Sequence, residues 1–137
     1  IKLFKENVGT RISNVKEKDY QNLLALIDIC IEKRMGETLS VYDAKGQLMA
    51  SAFFVKNREE VIILCSSTDF SNRKNGANTF LIDRAIHKYQ AQFKTFNFGG
   101  SSINSIANYF LSFNGITKKY PFLKENNLPS FLKIFKS

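Results

Sequence analysis

The chain has 137 residues, enough for one domain with a real core and short for two. Hydrophobic residues make up 44% and prolines number only two, which excludes a disordered or low-complexity segment. No apolar run approaches the ~20 residues that a bilayer-crossing helix needs, no signal peptide opens the sequence, and the net charge of +8 suits an anionic substrate or partner.

The basic residues are scattered, with adjacent pairs only at Lys33-Arg34, Arg73-Lys74 and Lys118-Lys119, so the bulk charge reads first as a solvated surface. Thirteen phenylalanines without a tryptophan imply that most of those rings are core. Cys30 and Cys65 both sit in apolar runs and are expected as buried free thiols, with a cytoplasmic location as the default. No grouping of His, Cys, Asp and Glu has the spacing of metal ligands. The chain opens on Ile1 rather than methionine, as a trimmed or excerpted piece of a longer protein would, and further domains upstream are left open.

In chain order, residues 1–4 read as a short strand and Asn7-Val8-Gly9 as a turn. A helix is predicted over 19–34, because Tyr20, Leu23, Leu24, Ile27 and Ile31 form one apolar stripe at helical spacing. Asp19 supplies its N-cap oxygen and Gly36 its stop. Three strands follow at 39–42, 48–55 and 61–65, joined by an Asp43-to-Gly46 turn and a charged loop over 56–60. Their short connections make an antiparallel meander, and the unbroken apolar run 61–65 suits a strand covered on both faces.

A polar loop over 66–76 leads to a second helix over 78–93, with Leu81, Ile82, Ala85, Ile86 and Tyr89 on one side and Asp83, Arg84, His87, Lys88 and Gln90 on the other. A strand at 95–98 breaks at Gly99-Gly100. Ser101 or Ser102 then caps a helix over 103–113, Gly115 stops it, and 116–120 reads as a last strand. Pro129 and Ser130 open a short helix through Phe135. The order defines a mixed α/β fold (α+β in its meander), with helices on both faces of a mixed sheet, and the strands 61–65 and 95–98 are expected as parallel neighbours across a helical crossover.

Chemistry concentrates at Arg73-Lys74-Asn75-Gly76-Ala77-Asn78, between an apolar strand and an amphipathic helix. A helix start presents unpaired N–H groups and a positive dipole end, so it suits a phosphate or pyrophosphate. Gly76 permits close backbone approach or a positive φ, and Arg73 and Lys74 add charge. On these residues alone an ordinary polar loop with a helix cap remains the competing reading.

Arg73-x-x-Gly76-x-Asn78 resembles the Arg/Gln-x-x-Gly-x-Gly/Ala signature of GNAT acyltransferases, departing at Asn78, where that family has a small residue. The stretch Phe96-Asn97-Phe98-Gly99-Gly100-Ser101, followed by Tyr109-Phe110-Leu111-Ser112-Phe113-Asn114-Gly115, resembles the C-terminal lobe of the FemAB-like branch, with Asn97 replacing an aspartate. The resemblance implies a GNAT-like central mixed sheet and direct attack of an amine on an acyl-CoA thioester, acetyl-CoA most simply. It implies donor contacts from Ser66, Arg73, Lys74, Asn75, Gly76, Ala77 and Asn78, and acceptor contacts from Phe98, Gly99 and Asn104.

The general acid of such enzymes is a tyrosine on the helix after the Phe98 strand. Register places Leu111 there, and Tyr109 is the nearest phenol. The base comes from the sheet edge, where Glu59 and Glu60 stand, and Glu60 is the residue assigned. Asp69 is placed to orient Arg73. His87 reads as a solvated helix residue with no dyad partner, and Cys65 as core.

The acceptor implied is a small-molecule or peptide amine. Nucleic acid is not an expected partner except under a Fem-type reading, in which an aminoacyl group comes from tRNA, and one lobe of 137 residues lacks room for the paired lobes of that type. A third reading is a degenerate, non-catalytic binding lobe, to which the departures at Asn78, Asn97 and Leu111 point.

Overall fold

The computed structural model describes residues 4–5, 15–69, 75–101, 103–119 and 121. Helix α1 (Glu17–Glu32) precedes strands β1 (Gly36–Tyr42), β2 (Leu48–Lys56) and β3 (Glu60–Thr68), then helix α2 (Ala77–Tyr89), strand β4 (Thr95–Asn97) and helix α3 (Asn104–Leu111). The strands form one sheet in the order β1-β2-β3-β4. Pairing is antiparallel through the first three and parallel between β3 and β4, so α2 is the crossover that a parallel pair requires.

Alternation along the strands builds two layers. On one face Ala52, Phe54, Val61 and Ile63 meet Leu81, Ile82, Ala85 and Tyr89 of α2, all of them buried. Full burial of each larger side chain contributes roughly 1.5–3 kcal/mol, which makes this the main core. On the other face the Phe53 ring lies beside Cys30 of α1 and the backbone of Gly36.

Gly36 corrects the expectation of a helix stop. Helix α1 ends at Glu32, Arg34 takes the left-handed conformation at φ 56°, and Gly36 begins β1. A Cβ there would stand 2.9 Å from Cβ of Cys30 and overlap the Phe53 ring, so close packing of helix on strand demands glycine.

Other boundaries moved for physical reasons. Asp19 is the third residue of α1 rather than its N-cap, and its carboxylate reaches back 2.8 Å to accept from the N–H of Lys16. The inward stripe of α1 is Tyr20, Leu23, Ile27 and Cys30, while Leu24 and Ile31 are exposed beside it. Phe4 is helical rather than in a strand. Glu60 belongs to β3 instead of the preceding loop, and Ser66 lies within that strand. The stretch 115–119 has no regular structure and Ile116 is 91% exposed, so no final strand forms there. The turn at Asn7 and the helix from Pro129 lie outside the described residues.

Candidate functional site

The starts of α1 and α2 contrast. At α1, Glu17 and Asp19 bring negative charge into the first turn. The first turn of α2 has no acidic residue, and its N-cap is Gly76 at φ 76°, so of the two roles foreseen for this glycine it takes the positive-φ turn. Asn75 Oδ1 accepts from the N–H of Ala77 at 2.9 Å, and Phe80 N–H begins the helical ladder on Gly76 O. The N–H groups of Asn78 and Thr79 fall in the turn that has no intrahelical acceptor. Arg73 and Lys74 lie outside the described residues, and so does the contact foreseen between Asp69 and Arg73.

Ala77 is buried against Met49 and Ala50, which fixes the helix start over the far end of β3, where Thr68 pairs with Ala50. Asn78 turns inward. Its Nδ2 donates to the Tyr109 hydroxyl at 3.1 Å, and Thr79 Oγ1 lies 3.3 Å from that same oxygen. Asn78 Oδ1 is buried with no hydrogen-bond partner. The fold thus brings Tyr109 to the mouth of α2, while Leu111 is exposed and away from this cluster.

Tyr109 closes an aromatic ladder. Phe96 packs edge-on against Phe98 at 5.2 Å, Phe98 stacks on Phe110 at 5.2 Å, and Phe113 meets Tyr109 edge-on at 5.4 Å. Phe98 is therefore engaged in packing α3 onto β4. Asn104 opens α3 and is exposed, and Ser101 Oγ accepts from the N–H of Ile103 just ahead of it.

The parallel strands part early. Pairing covers only Glu60–Thr95, Val61–Phe96 and Ile62–Asn97. Beyond that point Gly99 and Gly100 take φ of 76° and 69°, and β3 continues past Ile62 without β4 beside it. An irregularity coincides with the parting. Phe54 pairs with Ile63 and Phe53 with Cys65, so Leu64 is an extra residue, a bulge that bends and twists β3. The result is a fork between β3 and β4, in which β4 pairs with only the first three residues of β3. From Ile62 to Thr68 the prong spans about 20 Å at strand rise.

At the base of the fork Glu60 Oε1 accepts from Asn97 Nδ2 at 2.8 Å, and Asn97 Oδ1 accepts from Gly99 N–H at 2.8 Å. Glu59 is instead paired with Lys94 at 2.6 Å. The Glu60–Asn97 link, the Asn75 cap and the Leu64 bulge escaped sequence reading. Only Asn97 next to Gly99-Gly100 carried a local signal. Cys65 is half-buried rather than core, and burial raises its thiol pKa against an opposing hydrogen bond from the Phe53 backbone. His87 has a partner that sequence reading did not assign, Asp83 at 3.7 Å, on an exposed helix face. A recess of about 220 Å³ lined by Val61, Tyr89, Phe93, Lys94 and Phe96 lies at the opposite end of α2 from Gly76, apart from these groups. Among the described residues no group of His, Cys, Asp and Glu could hold a metal, and no helix is long and apolar enough to cross a membrane.

A four-stranded mixed sheet, meander first and forked at its parallel pair, with helices on both faces, is the fold of GNAT-type acetyltransferases. Solved structures bear this out. The chain is similar to a ribosomal-protein-alanine N-acetyltransferase from Brucella melitensis biovar Abortus 2308, at TM-score 0.61 and 11% identity over 91% of each chain. It is also similar to an aminoglycoside acetyltransferase from an uncultured soil metagenomic sample, at TM-score 0.63 and 14% identity over 90% of this chain and 85% of that one. A Trypanosoma brucei acetyltransferase superposes at TM-score 0.58 with 14% identity over 91% and 88%. No family model and no curated protein sequence matches the chain. At these identities the likeness speaks to the fold, and the FemAB-like branch gains no support from it.

Proposed function

We propose that the chain is an N-acyltransferase that moves an acyl group, acetyl most simply, from acyl-CoA to an amine by direct attack. The observation that carries the reading is the pairing of an acid-free helix start at Gly76 with a fork that opens toward it along β3. The pyrophosphate sits on the N–H groups of Asn78 and Thr79, with Arg73 and Lys74 supplying countercharge. The pantetheine arm lies along β3 past Ser66, adding hydrogen bonds to the edge that β4 does not cover, and the thioester reaches the fork.

There the amine nitrogen attacks the thioester carbon, a C–N bond forms, the C–S bond breaks and the thiolate leaves with the electron pair. Glu60 takes the proton released by the nitrogen. Tyr109 is held at the phosphate end, so in this reading its hydroxyl lines the donor site instead of protonating the thiolate. Similar folds occur in enzymes named for an aminoglycoside and for a protein alanine, and the acceptor here is a small-molecule or peptide amine.

Thr79→Glu tests the donor site. It sets a carboxylate in the first turn of α2, which stabilises the helix and repels a phosphate. Calorimetry with acetyl-CoA is expected to give at least ~10-fold weaker binding for this variant and a smaller loss for Arg73→Ala, each phosphate contact contributing on the order of 1–2 kcal/mol. A wild-type protein without affinity for acetyl-CoA, or a Thr79→Glu variant that binds it unchanged, overturns the reading.

A further inference from the structure

We propose that Asn97 is a positioning residue for acyl transfer, holding the Glu60 side chain at the fork, where no cation among the described residues pairs with it; the role rests on the acyltransferase reading. The side-chain amide of Asn97 is engaged at both ends. Its Nδ2 donates to Glu60 Oε1 and its Oδ1 accepts from Gly99 N–H, each at 2.8 Å. A carboxylate partner requires the donor end and an N–H partner requires the acceptor end, so the amide orientation is determined by its surroundings. Ionised aspartate cannot meet the donor demand. Aspartate would also set a second negative oxygen against Glu60.

The surroundings fit such a role. The N–H of Glu60 donates to Asn57 Oδ1 at 2.8 Å, which anchors the backbone beneath the carboxylate. Gly99, the other partner, is itself wedged at the fork, where a Cβ would come within 3.2 Å of Ile63 O and where φ is 76°. One asparagine therefore ties the base of the β3 prong to the turn that carries the other prong away. Glu59 is paired with Lys94 at 2.6 Å, and among the described residues no ion pair involves Glu60. Among the described residues Glu60 has one neutral side-chain donor, on Oε1, and Oε2 remains to accept the proton when an amine attacks.

The test compares wild type with Asn97→Asp, Asn97→Ala and Glu60→Gln. Donor binding is read by calorimetry with acetyl-CoA, and transfer by the pH profile of kcat/KM with acetyl-CoA and a large excess of trifluoroethylamine, a weakly basic primary amine. Asn97→Asp is expected to move the acid limb of the profile upward by about one pH unit, because two facing carboxylates share a proton. Asn97→Ala should lower kcat/KM by roughly tenfold or more, within the range of a displaced general base. Donor affinity should stay within about threefold in both, which a collapse of the fork would not allow. Carbon-13 titration of the Glu60 carboxyl should follow the same upward move in Asn97→Asp.

An unmoved limb in Asn97→Asp, a wild-type limb retained in Glu60→Gln, or a wild type that binds acetyl-CoA and leaves the amine unacetylated overturns the role of Asn97. Failure of the wild type to bind acetyl-CoA at all is a different result. It removes the acyltransferase reading, and this role falls with it.

Discussion

Glu37, near the start of edge strand β1, accepts hydrogen bonds from Lys88 at 2.8 Å, Tyr89 at 2.6 Å and Lys56 at 3.2 Å, whereas Glu60, at the start of β3, accepts one from a neutral amide. Burial alone would raise the pKa of Glu37, but the bonds from Lys88, Tyr89 and Lys56 outweigh it and hold the group at about 2, against an ordinary 4.5. The partner phenol of Tyr89 is pushed far upward by burial and by that same carboxylate. A carboxylate saturated by donors from β2 and α2 is a clamp between strand and helix. Glu60, with a single amide as its side-chain donor among the described residues, makes no such clamp.

The sharpest way to break this contrast is Glu37→Ala. It leaves Lys56, Lys88 and the phenol of buried Tyr89 without their acceptor, and the expected loss is about 2–3 kcal/mol in a denaturant titration. A loss under ~0.5 kcal/mol would mean that the clamp is decorative. Acid unfolding reads the same group through its protons. A depressed carboxylate contributes stability in full above its unfolded value of 4.5, and that contribution fades as pH falls toward about 2. Wild type is expected to lose up to ~2 kcal/mol more than Glu37→Gln across that window, after allowance for partial exposure.

Tyr89→Phe removes one of the clamp's donors and should cost about 1 kcal/mol, with the acid transition of Glu37 moving upward. Glu60→Gln should change stability by no more than ~0.5 kcal/mol, as expected of a group that supports little of the fold. A cost equal to that of Glu37→Ala would make Glu60 a second clamp and dissolve the comparison.

What the sequence revealed and what it hid follow from the range of each signal. The stripe from Leu81 to Tyr89 and the apolar run from Val61 are local patterns, and the crossover between parallel strands follows from them by handedness and length. Gly76 at a helix start is local too. The side of α1 that faces inward was harder, because Leu24 and Ile31 lie next to Tyr20 and Ile27 on the helix and only the neighbour decides which flank is covered. The pair Ile116-Thr117 looked like a strand by residue type, yet strand formation needs a partner, and Lys118-Lys119 follow at once. The Glu60–Asn97 contact joins residues 37 apart through the register of a parallel pair, which no local pattern encodes.

Leu64 shows how length, and not only composition, is specified. Side chains of a strand have a parity, and this single extra residue inverts it halfway along β3. Before it, Val61 and Ile63 point toward α2. After it, Ser66 and Thr68 come opposite Ala52 and Ala50, on the α2 side, while Cys65 comes opposite Phe53 and faces away. The inversion trades an apolar row for a row of hydroxyls at the place where the strand loses its parallel neighbour. Substitutions of the half-exposed Leu64 side chain leave that arithmetic intact. Loss of the residue would restore a regular ladder, with Cys65 still opposite Phe53 and both hydroxyls still on the α2 side, and would remove the bend on which the open prong depends.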